Sequence, residues 1–219
     1  MTIWRTTQAT LLAVTVGVLS TMHAAAAPLT LVEGEHYKKL ATTEPVTTGK
    51  KIEVLEVFSY GCIHCYEFEP TLHKWQKSMP ADAQLVLMPA TFNTSFALFA
   101  RGYYTADALG VVEKTHTQVF DALWKSGFQV ENLEQLANLY MRLGVDHDKF
   151  MAAAKSMGID AALNTATEKA RRLQLAGTPT VYVDGKYELL RTGTTTDDEI
   201  VERLNALIAK ARAERKKAH

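Results

Sequence analysis

The 219 residues, 47% hydrophobic and 22% charged, have ordinary globular composition and room for one large domain or one domain carrying an insertion. The 24 basic and 24 acidic side chains cancel, so charge gives no case for a nucleic-acid partner or an acidic ligand. Only two cysteines are present, too few for a scaffold stapled by several disulfides.

The chain opens like an export signal. Arg5 supplies a short positive region, Leu11 to Leu19 is an apolar run about half as long as a bilayer span requires, and small residues follow at Ala24 to Ala27. A signal peptide is expected over residues 1–26, cut between Ala26 and Ala27 so that Pro28 does not directly follow the cut. An uncleaved anchor is the alternative. No cysteine lies near the cut to carry a lipid. The mature chain is then expected to be soluble and to enter an oxidising compartment.

Leu29 to Lys50 is turn-rich, with at most one short edge strand near Leu29 to Val32. Ile52 to Ser59 is a nearly unbroken β-branched and apolar run, the pattern of a strand buried on both faces. Tyr60 and Gly61 turn the chain into a helix whose apolar stripe is Phe68, Leu72, Trp75 and Met79, with a kink expected at Pro70. Gln84 to Met88 reads as a second strand, ended by Pro89.

From about Thr91 to Leu175 the period is helical, broken at Gly110, Ser126-Gly127, Gly144 and Gly158, with Asn132 and Asp146 placed as N-caps. Thr180 to Val183 and Lys186 to Leu190 read as a hairpin about Asp184-Gly185. Thr196 and Glu199 form a capping box for a last helix. The basic residues between Lys210 and His219 read as its solvated end. The order predicts an α/β protein, a thioredoxin fold with an inserted α-helical domain. Residues 27–90 and 176–219 form the thioredoxin-like part, and residues 91–175 the insertion, too long for a loop.

The two cysteines, Cys62 and Cys65, enclose Ile63 and His64. So small a ring constrains the unfolded chain very little, so the pair is chemical rather than architectural. Between a buried strand and a helix, Cys62 falls at the helix N-terminus, where free N–H groups and the dipole favour a thiolate. A protonated His64 would add positive charge beside it. A stabilised thiolate makes the disulfide form oxidising and Cys62 a good leaving group, while Cys65, one turn on, resolves mixed disulfides. Zinc is the bland alternative, but the histidines show no paired spacing; covalent haem requires histidine where Tyr66 stands.

Glu56 interrupts the apolar strand six residues before Cys62. It is either buried, with a raised pKa that suits a proton acceptor for Cys65, or turned out at an edge. Thr178-Pro179 opens the first hairpin strand. A trans proline is acceptable there, whereas a cis proline against the cysteines would leave backbone groups for an extended substrate. Met88, Phe92, Phe96, Phe99, Met151 and Met157 suit either a peptide groove or, for most of them, the core.

These residues carry a resemblance. The run from Glu56 through Tyr60-Gly61-Cys62-Ile63-His64-Cys65 to Pro70, with Gly177-Thr178-Pro179 through Tyr187, is similar to the DsbA family of periplasmic protein-disulfide oxidases. The resemblance spans essentially the mature chain. It implies the thioredoxin fold with a helical insertion, and oxidation of newly exported, unfolded proteins in the periplasm. It also implies re-oxidation by a quinone-linked membrane partner of the DsbB type. By motif position Cys62 is the nucleophile, Cys65 the resolving cysteine, Glu56 the buried acid and Pro179 the cis proline. Ile63 stands where the best-known members carry proline, and Thr178 where several carry valine. The resemblance therefore carries over the chemistry but not the strength of the oxidant.

Three other functions compete. A disulfide isomerase or reductant shares the chemistry; the expected isomerase would be a dimer with an N-terminal module, which about 25 residues before the first clear strand do not provide. A specialised oxidase with few clients is the second, and a metal-binding or chaperone-type binding protein the third. No cofactor, metal or nucleic acid is expected, and the protein is expected to be a monomer.

Overall fold

The computed structural model describes residues 29–217. The expected signal peptide, its cut and the last two residues of the basic end lie outside them. Five strands form one mixed sheet: β1 (Tyr37–Lys39), β2 (Ile52–Phe58), β3 (Ala83–Pro89), β4 (Thr180–Val183) and β5 (Tyr187–Leu189), in the order β1-β5-β4-β2-β3. Only β2 and β3 run parallel. All seven residues of β2 are buried, because helices cover both faces of the sheet around it. On one face Ile52 and Val54 pack with Phe68, Leu72 and Trp75 of α1 (Ile63–Gln76) and with Leu204, Leu207 and Ile208 of α7 (Asp197–Lys217). On the other, Leu55 and Val57 pack with Ala166, Ala170 and Leu173 at the end of α6 (Met157–Arg172).

Between β3 and β4 lie α2 (Thr94–Ala108), α3 (Val112–Phe120), a π-helical turn (Asp121–Lys125), α4 (Leu133–Arg142), α5 (His147–Ala154) and α6. Asn93, Asn132 and Asp146 each accept a hydrogen bond from a backbone N–H three residues on, and so cap α2, α4 and α5. The helical block builds its own core from Phe99, Tyr103, Val119, Phe120, Leu136 and Tyr140, which meets Phe58 and Tyr60 at the end of β2.

Three local expectations shift. The edge strand lies at Tyr37–Lys39, not near Leu29 to Val32, because Tyr37 pairs with Leu189 and packs edge-on against Tyr187. The Val32 carbonyl instead closes a turn onto the N–H groups of Glu35 and His36. The break between α5 and α6 falls at Ser156, so Gly158 is already helical. The basic end of α7 is not simply solvated: Arg212 grips Asp82 at 2.5 and 2.7 Å, and Arg215 forks onto the buried Asp184. In the β4–β5 turn Asp184 and Gly185 both have positive φ, and a Cβ on Gly185 would meet the Glu44 carbonyl oxygen at 2.0 Å.

Candidate active site

Strand β2 ends at Phe58, and a short turn puts Cys62 at the N-cap of α1. Both cysteines are thiols in this structure, Cys62 half-exposed and Cys65 buried. The N–H groups of Cys65 and Tyr66 close the first turn on the Cys62 carbonyl at 3.1 and 3.2 Å. No acidic side chain stands in that turn to compete with a Cys62 thiolate for the positive end of the helix dipole.

The Cys62 thiol is pulled down to about 5, chiefly by a hydrogen bond from the Cys65 thiol. Its partial burial works against this, and Thr178 and the backbone N–H groups of Cys65 and His64 add to the lowering. The same Cys62–Cys65 bond, with burial, pushes Cys65 far above the ordinary thiol range, although the Ser59 N–H donates to its sulfur at 3.4 Å. One thiol is thereby acidic and its neighbour holds its proton.

His64 stands at the site, but its imidazole points outward, 69% exposed, with Nδ1 3.0 Å from Glu67 Oε2. Its backbone N–H, rather than the ring, reaches Cys62. The Thr178–Pro179 peptide is cis, and the Thr178 carbonyl oxygen lies 3.4 Å from Cys62 Sγ, which as a thiol donates to it. Two clefts flank Cys62. One, about 180 Å³, runs beside Pro179 and includes Phe68, Thr180, Leu190 and Arg191. The other, about 290 Å³, includes Tyr60, Gly61, Phe99, Trp124 and Phe128.

Glu56 is 4% exposed and faces α1, between Leu87 of β3 and Val181 of β4. No group among the described residues hydrogen-bonds its carboxyl. Burial first, then the negative Glu69 and Cys62, push it up to about 8. Its strand neighbour Glu53 is equally buried but satisfied, accepting from Thr47 N–H and hydroxyl at 2.6 and 2.9 Å and pairing with Lys169 at 3.3 Å. The strand thus carries two buried carboxyls, one anchored and one free to titrate.

Of the apolar residues considered for a groove, Met88 and Phe99 are core, Phe96 and Met151 are partly buried, and Phe92 and Met157 are exposed. The structure adds residues that sequence reasoning missed. Tyr60, fully buried, shares a 2.8 Å hydrogen bond with His116 Nδ1, and the Trp124 indole donates to its carbonyl at 2.8 Å. No motif marks His116 or Trp124; they meet Tyr60 only because α3 and the π-helical turn fold over the end of β2. Among the described residues no cluster of three or more His, Cys, Asp or Glu side chains forms a metal site, and no helix is long and apolar enough to cross a membrane.

The geometry agrees with what the chain resembles among known proteins. Residues 53–205 match the family described as DSBA-like thioredoxin domain. The thiol:disulfide interchange protein DsbA of Pseudomonas aeruginosa is 35% identical over 184 residues, 84% of this chain and 87% of that protein. The crystal structure of P. aeruginosa DsbA superposes with a TM-score of 0.79 at 34% identity, covering 84% of this chain and 95% of that one. The oxidoreductase DsbA from Xylella fastidiosa gives 0.77 at 32% identity, covering 84% and 98%.

Proposed function

The chain belongs to the DsbA family of thioredoxin-fold thiol–disulfide oxidoreductases, and we propose that it works as an oxidase, a monomer in the periplasm that passes its Cys62–Cys65 disulfide to newly exported, unfolded proteins. The observation that carries this reading is the split between the two thiols, Cys62 lowered to about 5 and Cys65 raised. A thiolate that stable favours the dithiol over the disulfide, so the disulfide form is the oxidant.

A client thiolate attacks Cys62 Sγ, the S–S bond breaks, and Cys65 leaves, taking a proton. The client's second thiolate then attacks its own sulfur in the mixed disulfide and expels Cys62, which leaves readily as a stabilised thiolate. The client dithiol loses two electrons and the Cys62–Cys65 pair gains them. Glu56 serves as the proton source and sink for Cys65. The backbone N–H groups of Cys65 and His64 hold the Cys62 thiolate, and Thr178 and Pro179 form the wall along which the client lies. The clefts on either side of Cys62 support a client chain crossing the site with apolar side chains to each flank. Re-oxidation is assigned to a quinone-linked membrane partner of the DsbB type.

The test is the redox equilibrium of the pair against glutathione, with the Cys62 pKa followed on the same sample. Reduction by mild glutathione and an acidic thiol are the expected result. A disulfide that resists glutathione, with a thiol near its ordinary pKa, would move the assignment to a reductant or isomerase. Cys65→Ser is expected to trap mixed disulfides with clients, and Cys62→Ser to abolish exchange; the number of trapped clients separates a general oxidase from a specialised one.

A further inference from the structure

The buried carboxyl that serves Cys65 must itself exchange protons with water, and β2 is sealed on both faces. A cavity of about 30 Å³, space for about two waters, lies between α1, α3 and the sheet. Glu56 stands on its wall and has no hydrogen-bond partner among the described residues. Leu85 and Leu87 of β3 line one side, and Glu69, His73 and His116 the other. Glu69, His73 and Gln76 come from α1, and of these His73 and Gln76 are exposed, so the cavity reaches the surface there.

We propose that this cavity is the proton port of the redox pair, through which His73 at its mouth exchanges protons with Glu56 across bridging water. The proposal rests on the oxidase reading above and adds the route to it. When a client opens the disulfide, Glu56 gives its proton to the departing Cys65 sulfur and is reprotonated from His73. When the pair is re-oxidised, Cys65 gives its proton to the Glu56 carboxylate while its sulfur attacks Cys62 Sγ in the mixed disulfide, breaking the bond to the partner's sulfur and expelling it as a thiolate, and the proton leaves by the same path. No electron passes through the port.

The other groups around Glu56 fit walls rather than stations. His116 is held by the Tyr60 hydroxyl at 2.8 Å, and burial, with His73 beside it, pushes it down to about 4, so it stays neutral and gives Glu56 no counter-ion. Tyr103 of α2 is a phenol pushed up by burial, so it stays neutral. Glu69, which accepts from the Thr117 hydroxyl at 2.7 Å, and the Cys62 thiolate are negative and keep the Glu56 proton in place. Leu85 and Leu87 of β3 and Val181 of β4 carry no charge. That leaves His73 as the exposed group on this cavity able to take and return a proton.

The test follows the Cys62–glutathione mixed disulfide of the purified protein as Cys65 closes the ring, by stopped flow between pH 5 and 9. The wild-type rate is expected to rise as Glu56 ionises. His73→Gln is expected to slow closure roughly a hundredfold, the low end of the typical cost of losing a proton-transfer group, and millimolar imidazole in the buffer is expected to restore it. Glu69→Gln is expected to move the profile to lower pH without slowing its plateau. A His73→Gln rate equal to wild type, or slowed but indifferent to imidazole, overturns the port. Because His73 is exposed, its substitution leaves the core intact, and a thermal melt of the same sample shows it. Failure of the oxidase reading would appear separately, in the wild-type glutathione equilibrium.

Discussion

A carboxyl group placed inside a strand with nothing to bind it is a cost to folding that the residue can lower by keeping its proton. Glu56, raised from an ordinary 4.5 to about 8, does this. Between those values the folded chain holds a proton that the unfolded chain has released, so this group's contribution to stability falls as pH rises through the window. Glu56→Gln, which removes the charge and keeps the shape, is therefore expected to stabilise the fold by about 3 kcal/mol at pH 7 and hardly at pH 4. Urea denaturation at the two pH values checks this, and the variant should close its disulfide more slowly than wild type by a margin that widens as pH rises towards 8. Gly61 is constrained by space rather than charge. A Cβ there would lie 3.0 Å from the Phe99 ring. Gly61→Val is expected to push Phe99 aside and distort the cleft next to Cys62, read as slower client oxidation with a smaller loss of melting temperature.

Elements were legible in the sequence where their signals are local. The apolar run of β2, the N-caps at Asn132 and Asp146, the capping box at Thr196 and the hairpin turn at Asp184-Gly185 are each decided by residues within a few positions of one another. What was not legible depends on partners far along the chain. The register of β1 is set by β5, about 150 residues later. The meeting of Glu56, His73 and His116 requires three elements to converge. The docking of α7 is of the same kind: Asp184 is 3% exposed and balanced by Arg215 and Lys186, and the arginine lies in a stretch that alone reads as a solvated basic end. Arg215→Ala leaves that carboxylate buried and half-paired, and is expected to cost about 3 kcal/mol in urea denaturation. Lys216→Ala, one residue on and exposed, is expected to change stability by less than about 0.5 kcal/mol.

At the scale of the whole molecule the redox state and the stability are one quantity seen twice. In the dithiol form the folded chain releases the Cys62 proton at about 5 and the unfolded chain near 9, so its stability rises with pH across that window and the gain is lost as pH falls through 5. Above pH 9 the raised Cys65 thiol reverses the trend, because the folded state then holds the extra proton. The disulfide form has neither thiol. The reduced protein is therefore expected to melt above the oxidised one at neutral pH, with the gap closing towards pH 5, as paired calorimetric scans would show. The ordinary stabilising effect of a disulfide is too small in this four-residue ring to offset it.

The sheet ends on one side in β1, three residues long, with Lys38 and Lys39 exposed, and on the other in β3, which runs out at Pro89, a residue with no N–H to offer. A short lysine-bearing edge is a poor template for another backbone. For a protein surrounded by chains that have not yet folded, this decides whether contact ends in turnover or in entanglement. A client can be held by one sulfur and let go, but along β1 it finds little rim on which to add itself as a sixth strand.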